Sequence, residues 1–102
     1  MKFLVISKPK HLVPPEVLIG VIDGMGPWQS KYAGNIEQVW GFAGIAGGGG
    51  IINVNSLEEL DAVMAELPVA PLSDVEIFPL VDLAGALQRT KQAIQAMASG
   101  GS

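Results

Sequence analysis

The sequence predicts an α+β domain, with strands and helices in the order βαββαβ and one further helix after them. Three observations carry this. Apolar, β-prone runs near 2–7, 35–43, 50–55 and 73–80 alternate with stretches of helical period. Ser56-Leu57-Glu58-Glu59 is a capping-box signature for a helix start. A chain of 102 residues, 49% of them hydrophobic, supports one core and no second domain. Residues 1–98 are read as that single domain and 99–102 as a flexible tail or an added remnant.

The first strand, "KFLVIS", is apolar throughout and closed by "KPK", as in a buried strand. Pro15 suits the first turn of the helix that follows. Val17, Val21, Met25, Trp28 and Tyr32 then recur near a 3.6-residue period, with a break or kink expected at Pro27. In "NIEQVWGFA", Ile36, Gln38, Trp40 and Phe42 share one face of a strand. "GIINVN" is the next strand, and Leu57, Leu60, Val63, Met64 and Leu67 make the stripe of the second helix, stopped by Pro68. "SDVEIFPL" is the last strand, and "DLAGALQRTKQAIQAMA" a terminal helix with the sparse apolar side Leu83, Leu87, Ile94 and Met97.

This order is the ferredoxin-like pattern, with strand order 4-1-3-2 and both helices on one face. The strands are apolar on both faces, so the other face needs a cover. A second copy of the chain supplies it most simply, its sheet packed face to face as a dimeric α/β barrel.

Glycine fills six of the ten positions from 41 to 50. A phosphate cradle needs such a run between a strand and a helix N-terminus. Here it lies between two strands, so it reads as a hairpin whose glycines permit unusual dihedrals, or close approach of a backbone or ligand. A pivot near Ala46 and Gly47 would set Trp40 opposite Asn53.

Other classes fall away on composition. The net charge is −4 and only Lys8, Lys10 and His11 cluster, which gives no nucleic-acid footprint. The chain has no cysteine and one histidine, which excludes disulfides, thiolate chemistry and a multi-histidine metal site, and no metal is expected. No run is long enough to span a membrane, and a cytoplasmic location is expected.

Antiparallel pairing brings Lys8, Lys10, His11, the glycine hairpin, Ser73 and Asp74 to one end of the sheet. A pocket opening there would be lined by Trp28, Tyr32, Trp40 and Phe42. His11 can move a proton near neutral pH, although a lone loop histidine is more often only solvated. Asp74, beside Glu76 on one strand face, is a second acid–base candidate, with solvation again the plainer reading. Lys8 and Lys10 can attract an anionic substrate, or be surface charges. Tyr32 and Asn53 can hold a substrate oxygen. Trp28 and Trp40 are either substrate-binding or core and dimer contacts.

From Trp40 onward, "W-x-x-A-G", "V-x-S-x-E-x-L" at Val54 to Leu60, "L-P-x-x-P" at Leu67 to Pro71 and "D-V-E" at Asp74 to Glu76 resemble the muconolactone Δ-isomerase family, without gaps from about Val39 to Ile77. The resemblance implies a ferredoxin-like protomer that dimerises through its sheets, alone or within a larger ring, and a cofactor-free proton shift on an unsaturated lactone or carbonyl compound. The first helix departs from that pattern. It is far more apolar, with Asp23 its only interior acid and Lys31 near its end, which suits a more apolar ligand. The alternatives are a cofactor-free monooxygenase or cyclase of the same superfamily, and a non-catalytic ligand-binding or assembly module.

Overall fold

A computed structural model describes residues 1–10 and 12–100. The elements are β1 (Lys2–Pro9), α1 (Pro15–Lys31), β2 (Ile36–Gly41), β3 (Gly48–Asn53), α2 (Leu57–Ala65), a 3-10 turn (Ala70–Leu72), β4 (Ser73–Leu80) and α3 (Leu83–Gly100). The strands form one antiparallel sheet in the order β2-β3-β1-β4, the ferredoxin-like order.

Local chemistry accounts for the element boundaries. Pro15 opens α1, its fixed φ suiting the first turn. The helix then continues through Pro27 without the expected break. Trp28 buries itself one residue later, and its indole N–H donates to the Val63 carbonyl at 3.0 Å, holding this part of α1 against α2. Gly24 lets Pro68 approach: a Cβ there would lie 3.3 Å from the Pro68 ring.

At the start of α2 the Ser56 hydroxyl accepts from the Glu59 N–H at 3.1 Å, as the capping box predicts. The other half of the box is shifted by one residue. The Glu59 carboxylate accepts from the Asn55 N–H at 2.9 Å, not from Ser56, and from the Asn35 side chain at 2.7 Å. These two bonds, the Asn55 one foremost, hold the Glu59 carboxyl below its ordinary range.

Side chains alternate cleanly across β1. Phe3 and Val5 point into the core beneath the helices and pack with Ile52, Val54, Leu60, Val63 and Leu67. Leu4 and Ile6 point to the outer face, in register with Ile51 and Gly49 of β3 and with Phe78 and Glu76 of β4. None of the described residues covers the apolar centre of that outer face, and Phe78 is 43% exposed.

The hairpin differs from the expected register. Trp40 pairs with Gly49, not Asn53, and Gly41 with Gly48. The bend is longer than a pivot at Ala46 and Gly47 would make it: Phe42 N–H donates to the Gly47 carbonyl at 3.0 Å, and Gly44 and Gly47 have φ of 81° and 120°. A β-bulge between Ile36 and Gln38 shifts the pairing again.

Asp82 stands just before α3, and its carboxylate accepts from the Gly85 N–H at 2.9 Å. The helix extends two residues beyond the Ala98 expected from the sequence, to Gly100. Its apolar side finds no cover among the described residues, with Leu83, Leu87 and Met97 all more than half exposed.

Candidate functional site

The glycine run shapes the site. Across the helix-side face of the sheet, the row nearest the hairpin is Gly41, Gly48, Ser7 and Val75, and the next row is Val39, Gly50, Val5 and Ile77. β3 therefore offers no side chain in either row. The strands also lie closer than side chains would allow. A Cβ on Gly48 would lie 2.6 Å from the Trp40 carbonyl oxygen, and one on Gly50 would lie 2.6 Å from that of Gln38. The same residues thus permit close strand approach and remove a layer of side chains from the floor.

Above this floor lies a groove of about 800 Å³. α1 forms one wall, with Leu18, Ile22, Met25 and Gln29 spaced by three or four residues along one side of the helix. Trp28, Met64, Leu67 and Val69 close the inner end. Among the described residues lining the groove, none is charged. The polar side chains reaching it from the floor and wall are few: the hydroxyls of Ser7 and Ser73 and the amide of Gln29; Gln38 also borders it, but in register with Ile51 its side chain belongs to the outer face. None of the side chains of Ser7, Ser73 and Gln29 has a hydrogen-bond partner among the described residues. Ser73 is only 7% exposed. Pro9 pairs with Ser73 and Ser7 with Val75, so the two serines are diagonal neighbours, roughly 7 Å apart at Cα. Such an arrangement suits a ligand that is mostly apolar and carries an oxygen or two.

The residues singled out from sequence scatter around this groove. Trp28 lines it, as expected. Trp40 borders it, but its indole belongs to the outer face: Trp40 is in register with Gly49 and Ile6, and a Cβ on Gly49 would meet its ring nitrogen at 3.4 Å. Lys8 and Asp74 pair across β1 and β4 on that same outer face, in line with Ile6 and Glu76. Lys10 is exposed beyond the end of β1, its N–H donating to the Leu72 carbonyl at 3.0 Å. Tyr32 lies one turn past Trp28, its hydroxyl donating to the Ala62 carbonyl at 3.4 Å, and Phe42 packs near Gly47; neither lines the groove. Asn53 sits at the opposite end of the sheet, its amide donating to Glu37 at 3.0 Å. His11 lies outside the described residues; it precedes Leu12, which borders the groove.

Met25 belongs to the apolar face read from sequence, whereas Ser7, Gln29, Leu18 and Ile22 were not singled out. The signal for Ser7 was present: it is a small polar residue in phase with Phe3 and Val5, at a position that would otherwise be apolar. Among the described residues no group of acidic or histidine side chains is placed to hold a metal ion, and no helix is long and apolar enough to cross a membrane.

Comparison with known proteins places this architecture. In fold, the chain is similar to a crystal structure of muconolactone isomerase, with 23% identity over 80% of this chain and 90% of that one, and a TM-score of 0.71. It is also similar to 5-chloro-2-hydroxyhydroquinone dehydrochlorinase from Burkholderia phenoliruptrix, solved in complex with 2,5-dihydroxybenzoquinone. That match has 16% identity over 79% of this chain and 94% of that one, and a TM-score of 0.64. Among curated proteins, none matches in sequence. The family model for muconolactone delta-isomerase matches residues 28–84, more than half of the chain. The match begins at Trp28, so β1 and most of α1, which supply Ser7 and the Leu18–Ile22–Met25 wall, lie outside it. On the strength of the matched half, which spans β2 to the start of α3, the chain belongs to the muconolactone delta-isomerase family.

Proposed function

We propose that the protein is a cofactor-independent small-molecule enzyme that moves a proton on an unsaturated carbonyl compound bound in the glycine-floored groove. The observation that carries this is the groove itself: an apolar slot lined by the polar side chains of Ser7, Ser73 and Gln29, none of which has a hydrogen-bond partner among the described residues. Family membership and the likeness to two enzymes of small oxygenated compounds support it. In this reading a base removes a proton from the carbon beside the carbonyl. The charge that develops on oxygen is met by a serine hydroxyl or the Gln29 amide, and the proton returns at the far end of the conjugated system. His11 is the residue we assign to the proton, since an imidazole ordinarily titrates near neutral pH and Leu12, next in the chain, borders the groove.

Incubation with unsaturated lactones and cyclic enones in deuterated water, followed by NMR, tests this. Wild-type protein is expected to catalyse deuterium incorporation, and His11→Gln to lower the rate by about 10²–10⁴. Equal rates in the two proteins would remove His11 from the mechanism.

A second reading, a non-catalytic binding protein, is favoured by one observation: no described residue lining the groove carries a titratable side chain. It predicts binding of the same compounds with no exchange above solvent background.

A further inference from the structure

We infer that the ligand of this groove is a neutral, flat molecule of at least two fused rings with carbonyl or hydroxyl oxygens, and not a single-ring carboxylate. This rests on the reading of the groove as the ligand site. Three features point to it.

The first is size. About 150 Å³ of apolar cavity suffices for one benzene ring, and this groove holds about 800 Å³. The second is shape. Gly41, Gly48 and Ser7 lie side by side on three neighbouring strands, which gives a floor about 10 Å wide with almost no side chains on it. A ring system can lie face-down on such a floor, covered by Leu18, Ile22 and Met25 from the helix above. The third is charge. No described lining residue is cationic, and Lys8 stands on the other face of the sheet, so a buried carboxylate would lose its hydration without a partner. Neutral oxygens find the Ser7 and Ser73 hydroxyls and the Gln29 amide, which have no partners within the described chain.

The test is calorimetric titration with five probes: menadione (neutral, two fused rings, two carbonyls), naphthalene (two fused rings, no oxygen), 1-naphthoate (two fused rings with a carboxylate), 2-cyclohexenone (one neutral ring) and 1-octanol (neutral, not flat). The absence of cysteine removes thiol addition to the quinone as a complication. Menadione is expected to bind most tightly, with 1-naphthoate, 2-cyclohexenone and 1-octanol each weaker by about tenfold or more. Ser7→Ala is expected to weaken menadione by about three- to tenfold and to leave the hydrocarbon naphthalene unchanged.

The proposal is overturned if 1-naphthoate, 2-cyclohexenone or 1-octanol matches menadione, or if no probe binds. Ile22→Trp fills the groove from a residue that is 58% exposed and so leaves the core intact. If 1-naphthoate or 2-cyclohexenone binds best and Ile22→Trp abolishes that binding, the groove remains the ligand site and only the ligand class is wrong. If the best probe binds Ile22→Trp as well as wild type, the groove is not the site and the functional reading falls with it.

Discussion

Gly50→Ala is the smallest change that tests how the glycine run works. Gly50 is buried, and an added Cβ would lie 2.6 Å from the Gln38 carbonyl oxygen and 3.4 Å from the Val39 Cα. Both are backbone atoms of β2, so no side chain can turn aside, and the β2–β3 pairing must open. The φ of Gly50 is not positive, so the cost is steric and not conformational. Overpacking of this kind costs about 1–3 kcal/mol. At about 2 kcal/mol, Tm falls by about 8–16 °C for a domain of this size. Gly20 is the internal control. It lies within α1, and nothing stands within 4 Å of an added Cβ. Gly20→Ala therefore removes a helix-interior glycine at no steric cost and stabilises by about 0.5–1 kcal/mol. Thermal and urea unfolding of the three proteins at one concentration measures both effects. If Gly50→Ala is as stable as wild type, or if Gly20→Ala is the more damaging change, close strand approach is not what the glycines provide.

Three further outcomes are expected. Trp28→Phe loses the indole bond to the buried Val63 carbonyl and part of the core volume, and should cost about 2 kcal/mol by urea unfolding; an unchanged midpoint would show that this tie between α1 and α2 does not matter. The folded-state pKa of Glu59 is depressed, so its contribution to stability is present above the ordinary carboxyl value near 4.5 and is lost as pH falls below it. Glu59→Gln should therefore be less stable than wild type at pH 7, with the gap closing below pH 4.5; a gap that stays constant with pH would contradict the pairing with Asn55 and Asn35. The uncovered outer face around Leu4, Ile6, Ile51 and Phe78 is the surface we propose for pairing with a second copy. By sedimentation, Phe78→Asp should shift the protein to monomer, and a wild type already monomeric would refute that pairing.

Much of this architecture was legible in the sequence, because the strongest signals are local. The Ser56 cap, the Pro68 stop and the apolar run of β1 each depend on a few adjacent residues, and together they determine the element order and so the sheet order. Placing the glycine run between two strands was enough to exclude a phosphate cradle. What was not legible depended on register. The longer bend moved Trp40 from Asn53 to Gly49, a slip of four residues that keeps its face; the bulge beside Glu37 is what parts Trp40, on the outer face, from Ile36 on the helix side. Lys8 and Asp74 share an end of the sheet with the groove, but strand alternation puts them on the opposite face. Ser7 was hidden for the converse reason: in an apolar run, one serine reads as noise until its neighbours on the adjoining strand are seen to be glycines.

The proposed function requires ligand to bind on the helix-side face of the sheet, over the glycine floor. Amide chemical-shift mapping with menadione tests it most directly. The largest shifts are expected at Ser7, Gly48, Gly50 and Ser73, with Leu4, Ile51 and Phe78 little changed. Shifts concentrated at Leu4, Ile51 and Phe78 would place the ligand on the outer face and contradict it.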